Sequence, residues 1–503
     1  MTPLSHINRQ GGCITYMFQF AKTPTYLLLS ALLTTSLPAI ANNASLPDIG
    51  TTAASTLTID KEIEYGEMYM RMMRASRPII NDPVLTEYIQ DLGHKLAANA
   101  DGVKTPFNFF LIKNYEINAF ALFGGNIGIH SGLFLHAKTE SELASVIAHE
   151  IAHVTQRHLA RSLEDQAKKN PATMAAMLGS LLLTIAAPEA GMAALHATTA
   201  ISMQGMLNHT RSNEKEADRI GISTLAKAGF NPQAMPHFFE RLAEQYRYTT
   251  KLPAMLLSHP LPESRITDSR LRANNYSVVR LPPSERYLLA KSRMVARNIG
   301  FSQTSALNWF NAELKTTPVN QRKELNYGKG LVYLDSGQYA KAQQLLLPLL
   351  AAEPNNAFYI DAVTDLNLYQ KHYDKAINRL ESALQYQPES SVLQLNLANA
   401  LFEAQRYQQS IKILNRYSYQ HPNDINGWAL LVQNYAKQNQ RDGELAAMGE
   451  LAALRAQWGL AISNYTQAAQ RAKLGSLDQA RYDARLDQLR LQQAKFEALR
   501  SSF

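Results

Sequence analysis

"SVIAHEIAHVTQRHLAR", residues Ser145–Arg161, holds two histidines four apart with a glutamate directly after the first. From Ser141 the apolar positions Leu143, Ile147, Ile151 and Val154 recur at intervals of three and four, so the stretch lies on a helix. At about 100° per residue, His149 and His153 project from one face, one turn apart. Two imidazoles in that relation can both reach one tetrahedral zinc ion. Glu150 is turned about 100° from His149. It can approach a water activated by the metal without competing as a ligand, and take its proton.

Such a site needs a third ligand. One zinc-protease pattern continues with Gly three and His six residues after the second histidine, but Gln156 and Leu159 stand there. His158, turned about 140° from His153 if the helix continues, reads as a surface or core histidine. "SNEKEADRIG", Ser212–Gly221, supplies a better candidate: Glu214 and Asp218 are four apart and share a helical face. Glu214 is the expected third ligand, and Asp218 can accept the free N–H of a ligating imidazole. Lys215 and Glu216 read as a solvated face.

At 503 residues, two or three domains are expected. The formal charge is +8, yet Lys and Arg are scattered with no basic run interleaved with aromatics, which excludes a nucleic-acid partner. Lys22 precedes an apolar stretch, Tyr26 to Leu37, that ends in "SLPAIANN". Ala39 and Ala41 are the small residues a signal peptidase requires, so residues 1–41 read as a signal peptide. An unremoved anchor is the alternative, and Met17 is a second candidate start. Cleavage removes two cations, Arg9 and Lys22, and no acid, so +8 becomes +6. It also removes Cys13, the one cysteine. A mature chain without thiols forms no disulfides, excludes thiolate catalysis and suits an oxidising compartment such as a bacterial periplasm.

Helical pattern runs from about Asp60 to Arg77 and Asp82 to Asn99, and Phe107 to Asn114 reads as a strand. Gly124-Gly125 separates two short strand-like halves in "INAFALFGGNIGIHSGLF". Residues 172–207 are largely apolar but broken by Pro188-Glu189, which favours a buried or surface-lying helical hairpin over a membrane span. In the second half Pro354, Pro388 and Pro422 recur at 34, as do Tyr339, Tyr373 and Tyr407. Ala342, Ala376 and Ser410 keep this register, with Leu346, Leu380 and Leu414. That period and pattern is the tetratricopeptide signature. The break between halves falls at "VVRLPPSER", Val278 to Arg286. Residues 42–280 are expected to form one domain and 281–503 a second.

"HEIAH" followed by "EKEAD", with "NAFALFGG" upstream and "SHPLPESRI" downstream, resembles the zinc peptidase family of HtpX and the CAAX prenyl proteases. With the signal peptide and repeats, it is similar to periplasmic members that serve outer-membrane protein assembly. The resemblance implies a mostly α protein: an α+β zincin-type metallopeptidase domain followed by an all-α tetratricopeptide solenoid. It implies one zinc per chain on His149, His153 and Glu214, with Glu150 as general base and Asp218 supporting the site. His259 falls on a histidine that occupies an extra zinc position and keeps the enzyme latent. Arg265 is an oxyanion donor or a structural partner.

The expected function is a periplasmic zinc endopeptidase and chaperone-like factor that assists barrel assembly and degrades misassembled barrels. Unfolded or stalled outer-membrane barrels are the expected substrates, pairing as an added strand with the edge at Asn118, Ala119 and Phe120. The repeats would dock on the barrel assembly machinery, with peripheral contact to the outer membrane. The alternative is a non-enzymatic repeat scaffold with a vestigial zinc site. An intact Glu150 argues against it, because a structural zinc needs no base.

Overall fold

Capping chemistry starts the first two helices. The Thr58 hydroxyl accepts from Lys61 N–H (3.3 Å) to open α1 (Ile59–Ser76), and the Asp82 carboxylate accepts from Val84 and Leu85 N–H to open α2 (Pro83–Ala97). The structure, a computed structural model, describes residues 57–169, 200–249, 253–277, 281–319 and 322–501. The expected signal peptide, and residues 172–199 of the apolar stretch, lie outside the described residues.

Strands β1 (Asn108–Ile112), β2 (Ala119–Ala121) and β3 (Asn126–His130) make one sheet in the order β1-β3-β2. β1 runs parallel to β3 and β2 antiparallel to it, with Ala119 opposite Ile129 and Ala121 opposite Ile127. The reversal between β2 and β3 depends on glycine. Gly124 and Gly125 have φ of 68° and 73°, and a Cβ on Gly125 would stand 2.0 Å from the Pro106 oxygen. β2 is an edge strand. His130 N–H donates to Asn118 O, and Leu122 N–H to Asn126 O. By antiparallel alternation, the N–H and C=O of Ala119 and Ala121 face away from β3.

After α3 (Ser131–His136) comes the helix foreseen from the opening stretch, α4 (Glu140–Thr155). The Thr139 hydroxyl caps it by accepting from Glu142 N–H, and Glu142 in turn pairs with Arg241. Every residue from Ser141 to Ala152 is buried, as expected for a central helix. Around it lie α5 (His158–Lys169), α6 (Ala200–Lys227), α7 (Ala234–Tyr246), α8 (Ala254–Ser258) and α9 (Glu263–Ala273). Gly221 sets how closely α6 approaches α4. A Cβ there would meet His149 N at 3.2 Å and the Ala148 carbonyl carbon at 3.3 Å.

Two helices, α10 (Glu285–Arg297) and α11 (Gln303–Thr316), lead into antiparallel pairs. These are α12 (Lys323–Asp335) with α13 (Tyr339–Ala352), α14 (Ala357–Tyr369) with α15 (Tyr373–Tyr386), and α16 (Ser391–Glu403) with α17 (Tyr407–Gln420). The series continues with α18 (Ile425–Lys437), α19 (Arg441–Ala453), α20 (Trp458–Arg471) and α21 (Leu477–Ser501). The tyrosines of the 34-residue repeat open α13, α15 and α17, and its alanine/serine and leucine columns are buried between neighbouring helices. Two further columns emerge. Asn356, Ser390 and Asp424 each cap the next helix through the side chain. Gly337, Lys371, Gln405 and Asn439 each take positive φ at the turn within a pair.

The repeats pack on α1 and α2, and one apolar core runs from Ile80 to Leu401 without a break. Arg293 on α10 is the polar bolt. It binds Asp82 at 2.7 and 2.9 Å, Asp361 of α14 at 2.6 Å and the Tyr327 hydroxyl at 3.1 Å, all buried or nearly so. Farther along, Ser390 Oγ donates to Glu87 and Asn426 Nδ2 to Asn81 O, and Arg71 Nη1 reaches Ala453 O at 2.6 Å.

Arg293→Ala removes the direct ion-pair partner of two largely buried carboxylates and should cost about 3–5 kcal/mol at neutral pH, read as a lower urea midpoint. Burial would raise the Asp361 pKa, but Arg293 and Arg297 outweigh it and hold the carboxyl below its usual value. A depressed carboxylate stabilises the fold above its ordinary pKa of about 3.9 and loses that contribution as the pH falls below it. The gap between wild type and variant should therefore be widest near pH 7 and narrow below about pH 4.

Candidate metal centre

α4 and α6 bring the predicted ligands together. His149 Nε2 and His153 Nε2 are 3.0 Å apart. Glu214 Oε2 lies 3.3 Å from the first and Oε1 3.4 Å from the second. His259, just past α8, brings Nδ1 to 3.0 Å from Glu214 Oε1 and 3.4 Å from His149 Nε2. One donor atom from each of the four residues lies within 4.8 Å of all the others. Tetrahedral ligands at about 2.0–2.1 Å from an ion stand roughly 3.3–3.4 Å from one another. The donor set and its spacing therefore fit a divalent metal.

Asp218 lies behind His149, its Oδ1 2.9 Å from Nδ1. Arg265 is 2% exposed and spends its guanidinium on buried partners. Nε and Nη2 each meet Asp218 at 2.8 Å, while Nη1 meets Glu214 Oε2 and Pro260 O, both at 2.8 Å. Two carboxylates facing one guanidinium leave a buried negative charge that an imidazolium or a metal cation must balance. The pKa shifts follow this imbalance. Burial would lower His149, yet Asp218 and Glu214 raise it to about 10. Burial would raise Glu214, but the three histidines hold it well below the carboxylate range.

Glu150 is buried at the next position round the helix, and its Oε1 accepts no hydrogen bond, with His259 Nε2 at 3.5 Å. It opens on a cleft of about 240 Å³ between α4 and the β2 edge, lined by Phe120, Ala121, Leu122, His153 and His259. Arg265 is not part of that lining. Of the candidate edge residues, Ala119 turns its backbone groups outward, whereas Asn118 and Phe120 turn theirs toward β3, so the open positions of the edge are Ala119 and Ala121.

His158 differs from its sequence reading. α4 ends at Thr155, and Arg157 takes a φ of 52°, so His158 opens a new helix and does not continue the old one. The kink carries its Nδ1 to 2.9 Å from His153 Nδ1. Its Nε2 lies 3.1 Å from Glu216 Oε2, which also binds Arg161 at 3.0 Å. Glu216 is thus paired, whereas Lys215 is exposed as expected. Burial, with His153 beside it, holds His158 well below the usual histidine range. No glycine or proline marks the kink, so the sequence carries no signal for it.

Residues 83–273 match peptidase family M48, and residues 367–433 match a tetratricopeptide repeat. The beta-barrel assembly-enhancing protease of Escherichia coli is 50% identical over 465 residues, 92% of this chain and 94% of that one. Its Vibrio cholerae counterpart is 56% identical over 483 residues, 96% of this chain and 100% of that one. The mitochondrial metalloendopeptidase OMA1 of Arabidopsis thaliana is 30% identical over 151 residues, 30% of this chain and 28% of that one. The fold and site define a metalloprotease joined to tetratricopeptide repeats. The chain belongs to peptidase family M48. Among the described residues, no helix is long and apolar enough to cross a membrane.

A ligand that binds only the folded state stabilises it, by about 2.7 kcal/mol at one hundred times its Kd. Chelator-treated protein should therefore melt at a lower temperature than metal-loaded protein, and re-addition of the metal should restore the difference. Calorimetry of both states checks this.

Proposed function

We propose that the chain is a zinc endopeptidase of the periplasm that acts on outer-membrane β-barrel proteins. Residues 1–41 are its signal peptide, residues 42–280 its peptidase domain and residues 281–503 its repeat domain. The carrying observation is the convergence of two histidines and Glu214, beside a Glu150 whose Oε1 accepts no hydrogen bond at the mouth of a cleft. The names of the Escherichia coli and Vibrio cholerae relatives support the substrate class. Two imidazoles and one carboxylate in tetrahedral spacing suit zinc.

A zinc ion there would supply Lewis acidity, polarising the scissile carbonyl and making a water more acidic. His149, His153 and Glu214 hold the site, and Asp218 fixes the His149 tautomer. Arg265 offsets one of the two negative charges of Asp218 and Glu214 and is structural. Glu150 takes the proton from the attacking water and returns it to the leaving amine. The outward N–H and C=O groups of Ala119 and Ala121 pair with an extended substrate strand, which selects segments that lack a strand partner. A stalled barrel exposes such segments. The repeats dock on the barrel assembly machinery, which places the enzyme at the periplasmic face of the outer membrane.

His259 is the latch. With Nδ1 among the ligand atoms and Nε2 toward Glu150, it stands where water and substrate must enter. A coordination site that is filled by protein donors is inert, and one with an open position is catalytic.

Glu150→Gln should retain zinc and fold but lose at least about 100-fold in peptide hydrolysis, because only the proton acceptor is removed. Turnover on an unfolded barrel protein, with zinc content by atomic absorption, tests this; full activity would mean another base acts. His259→Ala should raise basal cleavage at matched zinc occupancy. A sharp loss of activity with zinc retained would instead make His259 a transition-state donor.

A further inference from the structure

The two helical histidines are anchored differently, and the second anchor has a consequence for the metal. His149 meets a carboxylate directly, through Asp218. His153 meets another imidazole, His158, and only beyond it a carboxylate, Glu216. We propose that His158 and Glu216 are positioning residues for the metal centre, a proton-ordered chain that holds His153 with a bare Nε2 turned to the ion. This rests on the metal reading above.

The ordering follows from donor counting. Glu216 is an acceptor when ionised, so the His158 Nε2 facing it at 3.1 Å must carry the hydrogen. A neutral imidazole has one N–H, so His158 Nδ1 is bare. His153 Nδ1, 2.9 Å away, must then donate, and its own Nε2 is left bare. That Nε2 is the atom beside His149 Nε2 and Glu214 Oε1. The carboxylate thus sets, one ring removed, which nitrogen of His153 is free to bind.

An interposed ring also solves a charge problem. Glu214 and Asp218 already bury two negative charges at the site with one guanidinium. Glu150 is a third buried carboxylate there, so yet another placed against His153 would add a further unpaired charge in low dielectric. His158, 4% exposed, instead carries the anchor outward to Glu216, whose side chain is 28% exposed and shared with Arg161. The kink at Arg157 puts it there, since an unbroken helix would turn His158 away from His153.

The test is zinc affinity of the full chain, measured by competition with a chelating indicator, beside the cobalt-substituted absorption spectrum and the melting temperature of metal-free protein. His158→Phe keeps a buried ring but removes the acceptor. It should weaken zinc binding about 10–100-fold and alter the cobalt spectrum, with little change in metal-free melting. His158→Asn restores an acceptor near the Nδ1 position and should recover most of the affinity. Glu216→Ala, at a partly exposed position, reads the same chain should His158→Phe fail to fold, and should weaken zinc in the same direction. Wild-type affinity in His158→Phe or in Glu216→Ala would overturn the proposal. So would an Asn variant no better than the Phe variant at equal stability, which would reduce His158 to packing. A wild-type chain that binds no zinc would overturn the metal reading itself, and the relay with it.

Discussion

Two carboxylates buried on α6 face two imidazoles on α4, and the rest of the peptidase half is arranged around that contact. Removing a carboxylate from water costs several kcal/mol even after relaxation. Glu214 and Asp218 are both 2% exposed or less, so their surroundings must return that energy. Arg265 returns part of it through a fork on Asp218 and a contact to Glu214. The remainder is left for a positive charge among the imidazoles. Asp218 and Glu214 raise the His149 pKa, which favours its protonated form when no metal is bound; a divalent ion answers the same demand with more charge. The close approach at Gly221 favours this contact, because a Cβ there would press on the α4 backbone at 3.2 and 3.3 Å where the ligands meet.

The repeat half is not an appendage on a flexible tether. Its first helices share a core with α2, and Arg293 binds carboxylates from both halves in one buried cluster. Later turns add Glu87 with Ser390, Asn81 with Asn426 and Arg71 with Ala453. Forces on the repeats are therefore transmitted to α1 and α2, and α2 lies against both β1 and α4.

How far the sequence revealed this depends on whether a feature is periodic. His149, His153, Glu214 and Asp218 were legible because helical periodicity turns spacing into a shared face. The repeat columns were legible because one packing problem recurs every 34 residues with the same side chains. The caps Asn356, Ser390 and Asp424 solve a recurring problem with different residues, so identity matching passes over them. The positive-φ turns are filled by Gly, Lys, Gln and Asn in succession, of which only Gly and Asn are at home in that conformation. His158 escaped because its position depends on one backbone kink made by residues that favour helix. Arg293 escaped because its partners lie 211 and 68 residues away and no local pattern encodes them.

The edge strand sets a limit that explains why peptidase and repeats belong on one chain. Only Ala119 and Ala121 turn their backbone groups outward, because Ile117 O is already taken by Met255 N–H and β2 ends at Ala121. Two residues offer two donors and two acceptors. At a net 0.5–1.5 kcal/mol per hydrogen bond, pairing contributes roughly 2–6 kcal/mol, weaker than micromolar affinity would need. Association also costs translational freedom. On the proposed reading, strand pairing would orient a substrate over Glu150 but would not retain it. On that reading, retention would need a second surface held rigidly to the first, and the repeats, bolted through Arg293, are a surface of that kind. Linking a weak orienting contact to a separate holding contact raises the effective concentration of the strand at the cleft.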